Sequence, residues 1–469
     1  MSDIAAQPQE TLWTRTVNSV RRVWLDLGAT LDSDAIPAKL EGKAADQLLE
    51  RMRACIASEG GEVSARARAA QLGQYYMGLD APGRKRFLEI LAGNFGPDEE
   101  KVETAIDAYH QAAPEKKARA RHALQAALTP PRQSLLTQFN ALPEGVKFLV
   151  DLRAELLRYT KESPELADLD KDLERLLISW FDIGFLELQR ITWNSPAALL
   201  EKLISYEAVH EIRSWTDLRN RLDSDRRLFA FFHPRMPMEP LIFVEVALVN
   251  GIAGSIQTLL DEDAPIIDPS AADTAIFYSI SNTQSGLRGI SFGNFLIKRV
   301  VEELKGEFPN LKAFSTLSPI PMFRHWLEGI IAEGDPNLLT GEDRKRLKKV
   351  TGEKFGKGDL LRSVTSGDWM KDAELSEALR PALLRLCARY LVQEKRKERP
   401  VDPVARFHLS NGAQVERINW LGDISDKGMR ESAGMMVNYL YRLNDIEKNH
   451  ERFAKSGFVA ASSGVKGLL

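Results

Sequence analysis

The sequence predicts an α+β protein: an all-α helical region over residues 1–195, then a mixed α/β region over residues 196–469. Three observations predict it. Up to about residue 195, apolar residues recur at helical spacing with charges between them. After Trp193-Asn-Ser-Pro196, short apolar β-prone runs alternate with helical stretches. A chain of 469 residues, 44% of them hydrophobic, is also long enough for two or three domains with cores of their own.

In the first region, helices are expected over residues 44–56, 84–94 and 114–128. Leu149, Leu152, Leu156 and Leu157 form one further apolar stripe, and Leu166, Leu169, Leu173, Leu176 and Leu177 another. Pro130-Pro131 and Ser163-Pro164 punctuate the run. In the second region, strands are expected over residues 227–232, 241–249, 275–280 and 313–317. Residues 404–409 and 414–420 flank Asn411-Gly412, a dipeptide suited to a tight hairpin, and read as two more strands. Helices are expected over 196–208, 293–306, 371–394 and 432–443, and the polar stretch 335–357 reads as an excursion from the sheet.

Charge and cysteine usage narrow the classes of function. Lys and Arg number 63 against 66 Asp and Glu, a net charge of −3, which argues against bulk nucleic-acid binding. Two cysteines, Cys55 and Cys387, make neither a disulfide framework nor a zinc site, and predict a reducing, cytoplasmic compartment. The N-terminal residues lack the basic start and apolar core of a signal peptide, and the C-terminal Lys466-Gly-Leu-Leu469 is not a peroxisomal address. No apolar run approaches the roughly 20 residues of a membrane span. The seven histidines include no pair at the i, i+4 spacing of a helical metal site.

The most chemically suggestive stretch is 279–298. An apolar strand ends near Ser279, a glycine-bearing turn follows, and an amphipathic helix begins after Asn294. A helix start offers unpaired N–H groups and partial positive charge, and glycines let an anion approach the backbone. Arg288-Gly-Ile-Ser-Phe-Gly293 is neither a Walker A loop nor a Rossmann fingerprint. It resembles the Arg/Gln-x-x-Gly-x-Gly/Ala turn of GNAT acetyltransferases, with Ser291 in place of the middle glycine; an ordinary helix start is the competing reading. Further on, Ser318 lies where the apolar run 313–317 meets Pro319 and Pro321, which halt a central strand. On composition alone it is a turn-forming serine before it is a catalytic one. His408, alone on its predicted strand, reads first as a structural histidine. The basic run 344–349 reads as a solvated helix face rather than a phosphate contact.

Taken together, these segments resemble malonyl-CoA decarboxylases. The resemblance is carried by Ala275-Ile-Phe-Tyr-Ser-Ile-Ser281, Gly293-Asn-Phe-Leu-Ile-Lys-Arg-Val-Val301, Phe314-Ser-Thr-Leu-Ser-Pro-Ile-Pro321, Phe407-His-Leu409, Asn411-Gly-Ala413, Arg417-Ile-Asn-Trp420 and Asn438-Tyr-Leu-Tyr441. It extends into the helical half through Trp180-Phe181, Gly184-Phe-Leu186 and Ile191-Thr-Trp193. It implies a helical assembly domain over 1–195 and a GNAT-like catalytic domain over 196–469. It also implies conversion of malonyl-CoA to acetyl-CoA and carbon dioxide, within fatty acid and malonate metabolism, by a homo-oligomer (dimer or tetramer). By the same resemblance, Ser318 and His408 match the catalytic serine and histidine, and Ser279 and Tyr441 match positions lining the active site. Arg288, Gly289, Ile290, Ser291, Phe292, Gly293 and Asn294 match the malonyl-CoA-binding turn. Ser291 departs from the pattern, standing where animal members carry an acidic residue.

Loss of carbon dioxide from a malonyl thioester leaves electrons that the thioester carbonyl accepts as an enolate, so neither a metal nor an organic cofactor is required. The expected roles are proton donor for His408 and carboxylate contact or formal proton acceptor for Ser318. The sequence leaves open which residue performs which proton step. Two other readings stay open here: an acyl-CoA-dependent GNAT acetyltransferase, and a non-catalytic protein that binds coenzyme A thioesters.

Overall fold

The structure, a computed structural model, describes Val20, Trp24 and residues 40–57, 61–290 and 295–469. The chain forms two compact units. One comprises Met1–Leu186, His233–Met238 and Gln284–Ser291; the other comprises Glu187–Phe232, Glu239–Thr283 and Phe292–Leu469.

The described residues of the first unit contain helices and no strand. Helices Lys43–Ile56, Ala81–Asn94, Lys117–Ala127, Gly145–Tyr159 and Ala167–Trp180 lie where the apolar spacing predicts them. Local chemistry sets their ends: Asp80 accepts the Gly83 N–H at 2.8 Å and so caps Ala81–Asn94. The core is aromatic, with Tyr76 edge-on to Phe87 and Phe148 at 5.0 and 5.9 Å and Phe139 5.1 Å from Phe148. Burying Tyr76 requires a partner for its hydroxyl, which donates to Glu155 at 2.8 Å; Arg84 pairs with the same carboxylate at 2.8 Å.

Arg153, buried on the helix Gly145–Tyr159, ties the glycine turn into this unit. Its guanidinium donates to Asp170 at 2.9 Å, to Glu174 at 3.1 Å, and to the carbonyls of Gly286 and Arg288, both at 2.8 Å. Gly286 is packed so closely that a Cβ there would lie 1.8 Å from the Val150 carbonyl oxygen. Gly286→Ala is therefore expected to cost about 1–3 kcal/mol of stability through forced backbone displacement. A urea titration checks this, and an unchanged midpoint would show that the turn yields freely.

The second unit is built on one mixed sheet. In chain order its strands are β1 (Glu187–Ile191), β2 (Arg226–Phe232), β3 (Ile242–Val249), β4 (Thr274–Asn282), β5 (Ala313–Thr316) and β6 (Ser318–Pro319). A two-stranded ribbon, β7 (Lys395–Arg396) with β8 (Arg399–Pro400), stands apart, and β9 (Gln414–Asn419) and β10 (Met436–Leu440) complete the main sheet. The order is β1-β2-β3-β4-β5-β10-β6, with β9 also pairing β10. Among the described residues every pairing between these strands is antiparallel except β4 with β5, which the helix Phe295–Glu307 separates in sequence. Every residue of β2 and β10 is buried, the reason both read as near-continuous apolar runs. Leu199, Leu200, Leu203 and Leu218, from helices Ala197–Tyr206 and Trp215–Arg221, cover Leu228, Ala230, Phe232 and Phe243 of the sheet.

Two expected elements are corrected. Residues 404–409 are not a strand but most of the helix Pro403–Ser410. The deciding signal is Asp402-Pro403: the Asp402 carboxylate accepts the Ala405 N–H at 2.7 Å, and proline suits the first helical position. Residues 432–443 are not a helix. The helix Asp426–Ser432 ends where Ala433 and Gly434 take left-handed φ values of 50° and 78°, and β10 follows. The excursion at 335–357 includes the helix Gly341–Thr351, opened by a Thr340–Asp343 capping box. Arg344, Lys345, Lys348 and Lys349 of the basic run face solvent on it. No helix among the described residues is long and apolar enough to cross a membrane.

Candidate active site

The sheet opens where its one parallel pairing ends. β4 and β5 pair from Thr274 opposite Ala313 to Phe277 opposite Thr316. β4 then continues to Asn282, while the chain after Thr316 gives β4 one more hydrogen bond, Leu317 N–H to the Phe277 carbonyl at 3.0 Å, and becomes β6, paired with β10. The splay leaves a cavity of about 240 Å³. Phe277, Tyr278, Ile280 and Asn282 line it from β4, and Ser318 and Pro319 from β6. Pro403, Val404, Phe407 and His408 of the helix Pro403–Ser410 and Val209 complete the wall. A bulge sits beside it: Glu245 faces Ser279 but Val246 faces Phe277, so Tyr278 is the extra residue.

At the wall of this cavity the structure brings together Ser318 and His408, and Tyr441 meets the imidazole from outside the lining. Ser318 Oγ lies 3.2 Å from His408 Nε2, and His408 Nδ1 lies 2.8 Å from the Tyr441 hydroxyl. The Ser318 hydroxyl also donates to Thr316 Oγ1 at 2.8 Å. The imidazole stacks on Tyr439, with ring centroids 4.5 Å apart at 23°. His408 occupies the last turn of its helix, where the dipole favours a cation by about 0.3–1 kcal/mol. Burial outweighs that and pushes the imidazole down to about 3. Burial likewise holds the Tyr441 phenol well above its usual range. In the free protein His408 is therefore neutral, with a hydrogen bond at each ring nitrogen.

Ser279 is engaged elsewhere. Its hydroxyl donates to both Glu207 oxygens, at 2.9 and 2.8 Å, and Ser281 donates to the same carboxylate at 3.1 Å. Glu207 also accepts the N–H groups of Val209 at 2.7 Å and His210 at 2.8 Å, which links Ser279 to the segment that presents Val209 to the cavity. Burial pushes the neighbouring His210 down to about 4. Glu245, opposite Ser279, is fully buried; burial pushes its carboxyl up to about 8 despite the Arg221 guanidinium at 3.0 Å.

Arg288, Gly289 and Ile290 belong to the first unit. There Arg288 and Gly289 are exposed, Gly289 has φ 87°, and Ile290 is buried. Ser291, Phe292, Gly293 and Asn294 lie outside the described residues. Among the described residues, no group of three or more His, Cys, Asp or Glu side chains is placed to hold a metal ion. Thr316, Tyr439 and Glu207 were missed in the sequence. Thr316 was accessible in principle, because residues i and i+2 of an extended segment share a face. Glu207 carries no local signal, because its partners come from a strand 72 residues away.

Comparisons with known proteins identify the family. A family model described as the malonyl-CoA decarboxylase C-terminal domain matches residues 184–469, and one described as the N-terminal domain matches residues 95–181. The chain is 39% identical over 418 residues to "Malonyl-CoA decarboxylase, mitochondrial" of Anser anser anser, covering 86% of this chain and 83% of that protein. It is 38% identical over 451 residues to the protein of the same name from Rattus norvegicus, covering 92% of each. The crystal structure of malonyl-CoA decarboxylase from Rhodopseudomonas palustris is similar with a TM-score of 0.82 at 46% identity, covering 90% of this chain and 99% of that one. The names of the goose and rat relatives overturn the expected cytoplasmic location. Cys55 and Cys387 are free and buried, and such thiols report the absence of a disulfide without carrying an address. By the span and identity of these matches, the chain belongs to the malonyl-CoA decarboxylase family, carboxy-lyases, and its activity is the decarboxylation of malonyl-CoA.

Proposed function

We propose that the chain decarboxylates malonyl-CoA in the cavity between β4 and β6, with His408 as proton donor and Ser318 as partner of the malonyl carboxylate. The observation that carries this reading is the buried hydrogen-bonded chain Ser318–His408–Tyr441 at the point where the sheet splays. At about 240 Å³ the cavity is smaller than the roughly 300–1,000 Å³ of sites that take a whole drug-sized ligand, a size suited to the acyl end of a thioester.

The bond between the malonyl α-carbon and its carboxylate breaks, and its electron pair moves into the thioester as an enolate while carbon dioxide leaves. The α-carbon then takes one proton to become the acetyl methyl. The thioester is its own electron sink, so the step calls on neither a metal nor an organic cofactor. Burial, with no acidic partner, keeps His408 neutral. An incoming malonyl carboxylate supplies the missing negative charge and favours the imidazolium, which delivers one proton to carbon and returns to its neutral form.

The turn from Arg288 to Asn294 is the proposed coenzyme A contact, with Ser279 and Tyr441 shaping the acyl site. Residues 1–195 are proposed as the assembly domain of a homo-oligomer, a dimer or tetramer, and residues 196–469 as the GNAT-like catalytic domain. The test is incubation with malonyl-CoA alone, with a chelator present. Acetyl-CoA and carbon dioxide are expected in equal amounts and undiminished. Free coenzyme A released only after an acceptor amine was added, with no acetyl-CoA formed, would overturn the reading, and loss of activity to the chelator would overturn its cofactor-free chemistry.

A further inference from the structure

The pairing of β10 with the chain through β5 and β6 keeps one register, Leu440 opposite Ser315 and Val437 opposite Ser318, which puts Tyr439 opposite Thr316. At that position the Tyr439 N–H donates to Thr316 Oγ1, at 3.1 Å. The Thr316 carbonyl accepts from Asn438 Nδ2 at 2.7 Å, and Asn438 Oδ1 accepts from Asn419 Nδ2 at 2.8 Å. Thr316, Asn438 and Tyr439 are all fully buried. The Thr316 hydroxyl is thus held by main-chain geometry, two residues before Ser318.

Ser318 has a single hydroxyl proton, and it is directed at Thr316 Oγ1. The contact between Ser318 and His408 Nε2 is then made with the ring N–H as donor. A neutral imidazole has one N–H, so Nδ1 is left with a lone pair, which accepts the Tyr441 hydroxyl.

We propose that Thr316 is a positioning residue for the decarboxylation: its hydroxyl, pinned by the Tyr439 N–H, turns the Ser318 proton away from His408 and sets His408 as the Nε2–H tautomer. The inference rests on the roles proposed for Ser318 and His408. Its consequence is one of direction. A serine whose proton points at the imidazole is poised as a nucleophile with its base. Here the serine receives the imidazole proton, so the pair is not set to form an acyl-serine, and the proton beside the cavity is the one on His408 Nε2.

The test has two parts. In the wild-type protein carrying 15N-labelled histidine, the His408 signals, identified by their loss in His408→Asn, are expected to show an unprotonated Nδ1 and a protonated Nε2. The opposite tautomer would overturn the proposal even if no Thr316 variant folded. Thr316→Val keeps the shape and loses the hydroxyl. It is expected to lower kcat by about 10²-fold, the scale on which misplaced catalytic groups act, and to shift the His408 tautomer while acetyl-CoA affinity is kept. Thr316→Ser is expected to restore both rate and tautomer. Equal loss in the serine and valine variants, or normal kcat in Thr316→Val while Ser318→Ala is inactive, would overturn this inference alone. Full activity in Ser318→Ala would instead overturn the reading beneath it.

Discussion

Replacing His408 with asparagine is expected to lower malonyl-CoA turnover by about 10²–10⁴-fold, the range that general acid–base groups contribute, with acetyl-CoA affinity nearly unchanged. Asparagine is the informative choice. Its amide is close in size to imidazole and can still accept from Tyr441 and donate to Ser318, but it cannot carry a proton to carbon. The assay follows acetyl-CoA formation at saturating substrate, and near-wild-type turnover would remove His408 from the mechanism. A second readout comes from stability. His408 has a folded value of about 3 against an ordinary 6.5, so below pH 6.5 the unfolded chain binds a proton that the folded chain does not. This contribution to stability is intact above pH 6.5 and is lost as pH falls toward 3, at about 1.4 kcal/mol per unit. His210, pushed down to about 4, acts in the same direction over much of that window, so His408→Asn should flatten the acid limb without abolishing it.

What was legible in the sequence follows the range of the interactions that carry it. The leucine stripes of Gly145–Tyr159 and Ala167–Trp180 repeat locally, and β2, β3 and β4 announce themselves as largely apolar runs; the structure has these elements where the sequence predicts them. The two elements read wrongly both lie beside the site. Asn411-Gly412 reads as a hairpin turn, yet it follows a helix, because Asp402 and Pro403 open that helix nine and eight residues earlier. The run Met436–Leu440 has the composition of either a buried helix or a buried strand, and its partners β5, β6 and β9 decide in favour of strand. Ser318, His408, Tyr441 and Ser279 were visible only through resemblance to a family. Nothing local distinguishes a serine at a strand end from a turn serine, and the 3.2 Å contact that brings Ser318 to His408 spans 90 residues of sequence. Glu207 and Glu245 were not visible at all, since both depend on the cross-strand neighbourhood of Ser279.

Ser318→Ala is expected to lower kcat by about 10²–10³-fold, the usual cost of removing one donor to substrate charge, a role in which the Ser318 proton leaves Thr316 when the malonyl carboxylate binds. The competing account makes Ser318 a turn residue between β5 and β6, and the two accounts separate on what else changes. The substitution removes the acceptor of the His408 Nε2–H and the donor to Thr316 Oγ1, both inside the protein. Some loss of stability, about 1–3 kcal/mol, follows on either account and decides nothing. Ligand discrimination does decide. If the Ser318 hydroxyl meets the malonyl carboxylate, the variant should bind acetyl-CoA, which lacks that group, as the wild type does, while its affinity for malonyl-CoA falls. A turn residue would instead alter both affinities together or neither. A variant that binds the two thioesters in the wild-type ratio and turns over normally would place Ser318 outside the chemistry and leave its hydroxyl a purely structural link between β6 and Thr316.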